Sequence, residues 1–176
     1  MTSISNAGPS VPRLVAGSGN SAFATHLALL LLRLLLGTVF IYHGAQKAFG
    51  AFDGTGLSAF ASMLGKAGLP LLPAYAWAVI AAWSEFLGGC LVLIGLLTRL
   101  ASVPLIVTML VAIATVTGVN GLDNQRHGYE YNLALIAIAA TLVLCGAGLV
   151  SVDAVLFRRG LWARGAQPAG DMPRPQ

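Results

Sequence analysis

Four long apolar runs constrain the fold of this chain more than any other feature of its sequence. A helix that crosses the hydrocarbon core of a bilayer needs about 20 mostly apolar residues. Charged residues make up only 9% of the chain, whereas a soluble domain carries about 25%. We therefore predict an all-α membrane protein, a bundle of four transmembrane helices at residues 26–46, 74–97, 100–118 and 131–149.

The segments at the two ends of the chain differ in composition from the apolar region. Residues 1–25 are rich in Ser, Gly, Ala and Pro, which is typical of a flexible tail. Residues 158–176 carry several arginines and are predicted to form a basic, disordered tail that meets anionic lipid headgroups. The membrane domain is therefore expected to cover residues 26–157.

Lysine and arginine in the flanking segments predict the orientation of the bundle, because the cytoplasmic side of a membrane protein carries more of them. With four spans, both termini lie on one side, which holds six of these residues: Arg13, Arg99, Arg158, Arg159, Arg164 and Arg174. The opposite side holds three: Lys47, Lys66 and Arg126. Both termini are thus expected in the cytoplasm, with outward loops at residues 47–73 and 119–130.

The first outward loop contains a helical pattern of its own. Leu57, Phe60, Ala61 and Leu64 follow the spacing i, i+3, i+4, i+7, which is typical of one face of an amphipathic helix. A glycine and a proline follow at positions 68 and 70, and these residue types end helices. We predict a short amphipathic helix that lies on the membrane surface or over the bundle.

Two ionisable residues lie inside predicted spans, Arg33 in the first and Glu85 in the second. Such residues cost about 2.5 to 3.5 kcal/mol on insertion scales, and they usually face the bundle interior. Arg33 and Lys47 share a helix face, and His43 lies close to it. Depths counted from the span ends place Glu85 between Arg33 and His43, and Glu85 could pair with either. We predict a polar chain Arg33–Glu85–His43, joined directly or through water. The alternatives are a structural Arg–Glu pair and headgroup contacts of His43 and Lys47.

The second outward loop, "GLDNQRHGYEYN", adds His127 and Glu130 on the same membrane side as His43 and Lys47. These groups are expected to approach each other, with a solvated loop surface as the alternative. No metal site is predicted, because no pair of these residues has the spacing of metal ligands. Cys90 and Cys145 both lie in apolar runs and are expected to be inert packing residues. Nucleic acid is not an expected partner, because no basic face is interleaved with aromatic residues.

Several segments taken in order resemble the DoxX family over about residues 27–156. They are "RLLLGTVFIYHGAQKAFG", a glycine-rich loop with "GLP", "WSEFLGGCLVLIGLLTRLAS", "HGYEYNLALIAIA" and "SVDAVL". The family's polar positions match here at Arg33, His43, Gly44, Lys47, Glu85, Gly88, Gly89, Thr98, Arg99 and Glu130. The resemblance implies a small four-helix protein of the bacterial inner membrane. Relatives are associated with terminal quinol oxidation, thiosulfate:quinone oxidoreductase and membrane redox-stress complexes, although this chain has no cysteine pair for thiol chemistry.

The resemblance and the polar residues together lead to one functional hypothesis and two alternatives. We expect a membrane subunit of a quinone-linked oxidoreductase or redox-stress system. His43 and Glu85 would form a proton relay, and the quinone would be bound by Arg33, Lys47, Glu130 and His127. The implied partners are membrane lipids, a second redox subunit and further copies of the chain. The alternatives are a non-catalytic anchoring subunit and a small-molecule or lipid-binding protein, so the sequence leaves open whether the chain is itself an enzyme.

Overall fold

The computed structural model describes residues 19–161, with side chains from 21 to 156, and this part of the chain folds into helices joined by turns. Most of both predicted tails, residues 1–18 and 162–176, lies outside the described residues. The α-helices are α1 Gly19–Phe49, α2 Gly56–Ala67, α3 Ala74–Ile94, α4 Thr98–Ala112, α5 Glu130–Cys145 and α6 Val152–Leu161. A π-helix, Ile113–Thr117, and a 3-10 turn, Gly118–Asn120, continue α4.

Three helical segments are long and apolar enough to cross a membrane: Ser21–Phe49, Ala74–Ile94 and Thr98–Asn120. Helix α5 is apolar but shorter. The prediction of an all-helical membrane protein is therefore confirmed, with three of the four predicted spans at full length. Helix α5 stops four residues before the predicted end because Gly146 and Gly148 adopt left-handed backbone angles, φ 79° and 78°.

The other helix boundaries also differ from the predicted ones. Helix α1 begins at Gly19, inside the segment predicted as a tail, and α6 extends beyond residue 157. Helix α3 ends at Ile94 because Gly95 takes a left-handed conformation, with its N–H bonded to the carbonyls of Leu91 and Val92. Thr98 and Arg99, predicted as the link between two spans, form the first turn of α4.

The predicted amphipathic helix is confirmed as α2. Phe60, Ala61 and Leu64 are buried on one face, where they form a cluster with Ala78 of α3. Gly68 ends the helix in a left-handed conformation, with its N–H donating to the carbonyl of Gly65 at 3.4 Å. Helix α2 therefore packs over one end of the bundle rather than extending away from it.

Helices α1 and α3 pack as a close antiparallel pair along a line of glycines. A Cβ atom placed on Gly37 would lie 2.8 Å from the Cβ of Leu93, and one on Gly89 would lie 2.7 Å from the backbone nitrogen of Ile41. A Cβ atom placed on Gly44 would overlap the backbone of Phe86. Small residues at these positions let the two backbones approach, and this approach fixes which polar residues of α1 and α3 meet.

Candidate functional site

An ion pair between Lys47 of α1 and Glu85 of α3 is the centre of the site. The Lys47 Nζ lies 2.5 Å from both Glu85 carboxylate oxygens. Only 2% of the Glu85 side chain is exposed, against 26% of the Lys47 side chain. The ring of Phe60, from α2, lies beside the ammonium with its centroid 5.2 Å from Nζ. Such a pair keeps a buried carboxylate charged without leaving it uncompensated.

The pair forms part of the wall of a cavity of about 700 Å³, here called the larger cavity. Residues of α1, α2, α3 and α4 and of the π-helix line it, and most of them are apolar. Three apolar lining residues, Ile80, Val103 and Val107, have about half of their surface exposed (48%, 47% and 51%). The larger cavity therefore reaches the outer apolar surface of the bundle between α3 and α4.

A second cavity of about 270 Å³, here called the smaller cavity, lies between α1, α4 and α5. The loop before α5 contributes Asn124 and His127 to its lining. Four residues line both cavities and form the partition between them: His43, Lys47, Ala112 and Thr117. The two cavities thus adjoin at these four residues.

The π-helix and a buried amide from α5 hold the partition residue Thr117 in place. The hydroxyl of Thr117 donates to the Asn132 amide oxygen at 3.2 Å, and the amide nitrogen of Asn132 lies 3.3 Å from the sulfur of Met109. Thr115 also donates to the carbonyl of Val111 at 2.8 Å. Single-turn π-helices occur frequently at functional sites, where they change the direction of side chains. Here the irregular turn brings Thr117 to the boundary of both cavities.

Arg33 does not join Glu85, so the predicted chain Arg33–Glu85–His43 is wrong in its first link. The Arg33 guanidinium is buried and donates to four backbone carbonyls. Two belong to the last turn of α3, Val92 at 3.0 Å and Leu93 at 2.9 Å, and two to the turn after α5, Ala147 at 2.9 Å and Val150 at 2.6 Å. The carbonyls at a helix C-terminus lack partners within the helix, and Arg33 satisfies them.

His43 makes no direct contact with Glu85, and a link between the two through water stays a prediction. Its Nδ1 lies 3.1 Å from the Gln46 side-chain oxygen, and its ring meets Tyr42 edge to face at 5.5 Å between centroids. The imidazole lines both cavities. The structure therefore brings His43 and Glu85 to the same cavity without joining them by a hydrogen bond.

The two candidates from the second loop have different positions. His127 lines the smaller cavity together with His43 and Lys47. Glu130 lines neither of the two cavities described here, and its carboxylate accepts a bond from the Asn124 backbone N–H at 3.4 Å. Of the loop candidates, only His127 is thus brought to the partition residues.

Sequence reasoning missed the Lys47–Glu85 contact, although the sequence carried a signal for it. Side chains lean toward the N-terminus of their own helix, so in an antiparallel pair Lys47 and Glu85 lean toward each other. The depth estimate failed because it was counted from predicted helix ends, and α1 begins seven residues before the predicted start. In the structure Gly44 lies against Phe86, which places Glu85 beside the carboxyl-terminal end of α1.

Asp153 is a second polar residue to which the sequence assigned no role. Its carboxylate accepts bonds from the backbone N–H groups of Leu97 at 2.8 Å and Thr98 at 3.1 Å. Its own N–H donates to the carbonyl of Gly95 at 2.9 Å. Asp153 therefore caps the N-terminus of α4 and attaches α6 to the turn between α3 and α4. An acidic residue in the first turn of a helix was the available signal.

Comparison with known proteins gives the family. A model described as DoxX matches residues 28–118, more than half of the chain. The chain belongs to the DoxX family. It is 34% identical to the Bacillus subtilis (strain 168) protein named "Putative oxidoreductase CatD" over 130 residues. These residues cover 73% of this chain and 87% of that protein.

A second relative is the "Uncharacterized membrane protein Rv3486" of Mycobacterium tuberculosis (strain ATCC 25618 / H37Rv). It is 32% identical over 164 residues, which cover 88% of this chain and 93% of that protein. No solved structure matches the chain significantly. The DoxX match runs from α1 through the π-helix, so it includes both members of the ion pair and the whole partition between the cavities.

Proposed function

We propose that this DoxX protein is a membrane subunit of a quinone-linked oxidoreductase system and that its larger cavity binds the quinone. The observation that carries the proposal is the Lys47–Glu85 ion pair in the wall of a mostly apolar cavity. Binding sites for small molecules are commonly apolar clefts of about 300–1,000 Å³ with a few polar groups. A quinone has an apolar ring and tail and two carbonyl oxygens, and it matches this distribution.

The chemistry follows from the residues around the cavity. Reduction of a quinone to a quinol takes up two electrons and two protons. The Lys47 ammonium would donate a hydrogen bond to one carbonyl oxygen and stabilise the negative charge that develops there. His43, whose residue type exchanges protons near neutral pH, would deliver the two protons in turn at the cavity wall and would take up each of them from water. A partner redox protein would supply the electrons.

The surface of the bundle supports the same ligand class. The exposed apolar residues Ile80, Val103 and Val107 at the margin of the larger cavity would face lipid. A quinone dissolved in the bilayer could then enter between α3 and α4 without crossing water. The name of the Bacillus subtilis relative includes the word oxidoreductase, which agrees with a redox role at this coarse level.

The proposed setting is the bacterial inner membrane, with α5 as the fourth crossing and both termini in the cytoplasm. Helix α5 has 16 residues, and a helix of that size is about 24 Å long at 1.5 Å per residue. The hydrocarbon core is about 30 Å thick. The turn from Gly146 to Ser151 would cover the remaining distance to the cytoplasmic surface.

Quinone content tests the proposal directly. The protein is purified in a mild detergent, its lipids are extracted, and quinone per protein is measured by chromatography. Glu85→Gln removes the charged partner that holds the Lys47 ammonium at the cavity wall. The variant is expected to lower the quinone content roughly tenfold, because a hydrogen bond from a charged group contributes about 1.5–3 kcal/mol. His43→Ala is measured alongside it. Asp53→Asn makes the same chemical change as Glu85→Gln at an exposed loop position and is expected to leave the content unchanged.

Two outcomes would overturn the quinone proposal. Equal quinone content in the original protein, Glu85→Gln and Asp53→Asn, with loss of a co-purifying protein from Glu85→Gln alone, would favour an anchoring subunit. Recovery of phospholipid but no quinone from the original protein would favour a lipid-binding protein.

A further inference from the structure

The smaller cavity differs from the larger one in the chemistry of its lining. Beyond the partition, its lining combines the polar side chains of Asn124, His127, Tyr131 and Asn132 with apolar ones, namely Val39, Phe40, Met109 and Leu135. Asn124 and His127 belong to the loop and are exposed on the surface. A cavity of about 270 Å³ has room for several water molecules, each of which needs two to four polar partners. This lining supplies such partners from the surface inward.

The Lys47 side chain lies where the two cavities meet. It lines both of them, whereas Glu85 lines only the larger one. The exposed fractions of the two side chains agree with this arrangement, since 26% of Lys47 is exposed and only 2% of Glu85. The Lys47 side chain therefore connects the cavity lined by Glu85 with the cavity lined by the loop residues.

We propose that the smaller cavity is an aqueous inlet, a water-filled route from the surface of loop 121–128 to the Lys47–Glu85 pair. The inlet is separate from the apolar margin of the larger cavity between α3 and α4. The titratable groups that line it are His43, Lys47, His127 and Tyr131. Water and protons reach the ion pair from the loop, whereas an apolar ligand reaches it from the lipid. This division does not depend on which ligand the larger cavity binds.

Cysteine labelling tests the inlet without any ligand. In a background with Cys90→Ala and Cys145→Ala, Thr117→Cys places one thiol at the partition. The protein is reconstituted in lipid nanodiscs, which leave both aqueous faces open. The rate of reaction with a charged, membrane-impermeant methanethiosulfonate reagent is then measured. The thiol is expected to react, because the reagent passes through water in the smaller cavity.

Matched bulky variants identify the route that the reagent takes. His127→Trp fills the loop end of the inlet and is expected to slow the labelling of Thr117→Cys several-fold. Met63→Trp places the same side chain at an exposed position on the larger cavity and is expected to leave the rate unchanged. Gel filtration shows whether each variant folds. If His127→Trp does not fold, Asn124→Trp replaces it, and if Thr117→Cys does not fold, Ala112→Cys replaces it as the labelled thiol.

Three results would overturn the inlet. In the first, the thiol at position 117 or 112 does not react with the reagent. In the second, Met63→Trp slows the labelling of the thiol but His127→Trp and Asn124→Trp do not. In the third, none of the three bulky variants changes the labelling rate. Quinone content is a separate measurement, so the inlet can fail while the quinone proposal stands, and the reverse also holds.

Discussion

At the scale of single residues, Lys47 and Arg33 show two different uses of a positive charge inside an apolar bundle. Arg33 is buried and donates to backbone carbonyls of Val92, Leu93, Ala147 and Val150, so its role is structural. Lys47 meets the single carboxylate of Glu85 at a cavity wall and remains partly exposed. Only the second arrangement leaves a charged group within reach of a ligand.

The coupling between Lys47 and Glu85 is expected to appear in stability. Lys47→Met alone leaves a buried, unpaired carboxylate and is expected to destabilise the fold by about 3–5 kcal/mol. The double variant Lys47→Met with Glu85→Gln removes both charges and is expected to recover most of this loss. Thermal unfolding in detergent of the two single variants and the double variant gives the coupling. Additive effects of the two substitutions would contradict a direct ion pair.

At the scale of helices, the close approach of α1 and α3 determines the geometry of the site. Gly37, Gly44 and Gly89 lie where the two backbones are closest. This contact sets the register in which Lys47 meets Glu85. These three glycines therefore help to form the ion pair, although none of them lines either cavity.

Gly44→Ala is expected to destabilise the protein by about 1–3 kcal/mol, because overpacking forces backbone shifts. The added methyl group would overlap the backbone of Phe86. Gly65→Ala is the matched control in α2, where the new atom would lie at an ordinary 3.6 Å from Ala74. That change is expected to be neutral or to stabilise by up to about 1 kcal/mol. Thermal unfolding of both variants measures these changes in stability. Equal changes in Gly44→Ala and Gly65→Ala would argue against close packing of α1 on α3.

Elements were predictable from the sequence where local patterns specify them. Helix α2 followed from the spacing of Leu57, Phe60, Ala61 and Leu64, because one apolar face determines both its type and its packing. The ends of α3 and α5 were missed by a few residues, since an apolar run does not show which glycine turns left-handed. The π-helix had no signal, because it depends on tertiary contacts such as Thr117 with Asn132.

The roles of single residues were less predictable than the helices, because the pairing of side chains also depends on tertiary contacts. The sequence showed that Arg33, Lys47 and Glu85 lie in or beside the apolar region, but their pairing depends on the relative height of two helices. That height follows from the glycine contacts between α1 and α3, which a count from predicted helix ends does not capture. His127 was correctly associated with His43 and Lys47, because loop position and membrane side were sufficient there.

At the scale of the whole molecule, the number of crossings determines where the chain ends lie. Four crossings place both termini on one side, whereas the three full-length spans alone would place them on opposite sides. Fusions of green fluorescent protein to each terminus are expected to fluoresce, because this protein matures in the cytoplasm. Alkaline phosphatase inserted after Gly121 is expected to be active, because it requires the outer side. A dark carboxyl-terminal fusion beside a fluorescent amino-terminal one would show that α5 does not cross.

The contacts of Arg33 also have a consequence for how the protein is synthesised. Two of its carbonyl partners, Ala147 and Val150, follow it by 114 and 117 residues. At a translation rate of about 5–20 residues per second, roughly 6 to 23 seconds pass before they emerge. During this interval α1 must enter the membrane with a guanidinium only partly satisfied. The turn after α5 thus completes the hydrogen bonding of a residue in the first helix, so the membrane domain can finish assembling only after that turn has been synthesised.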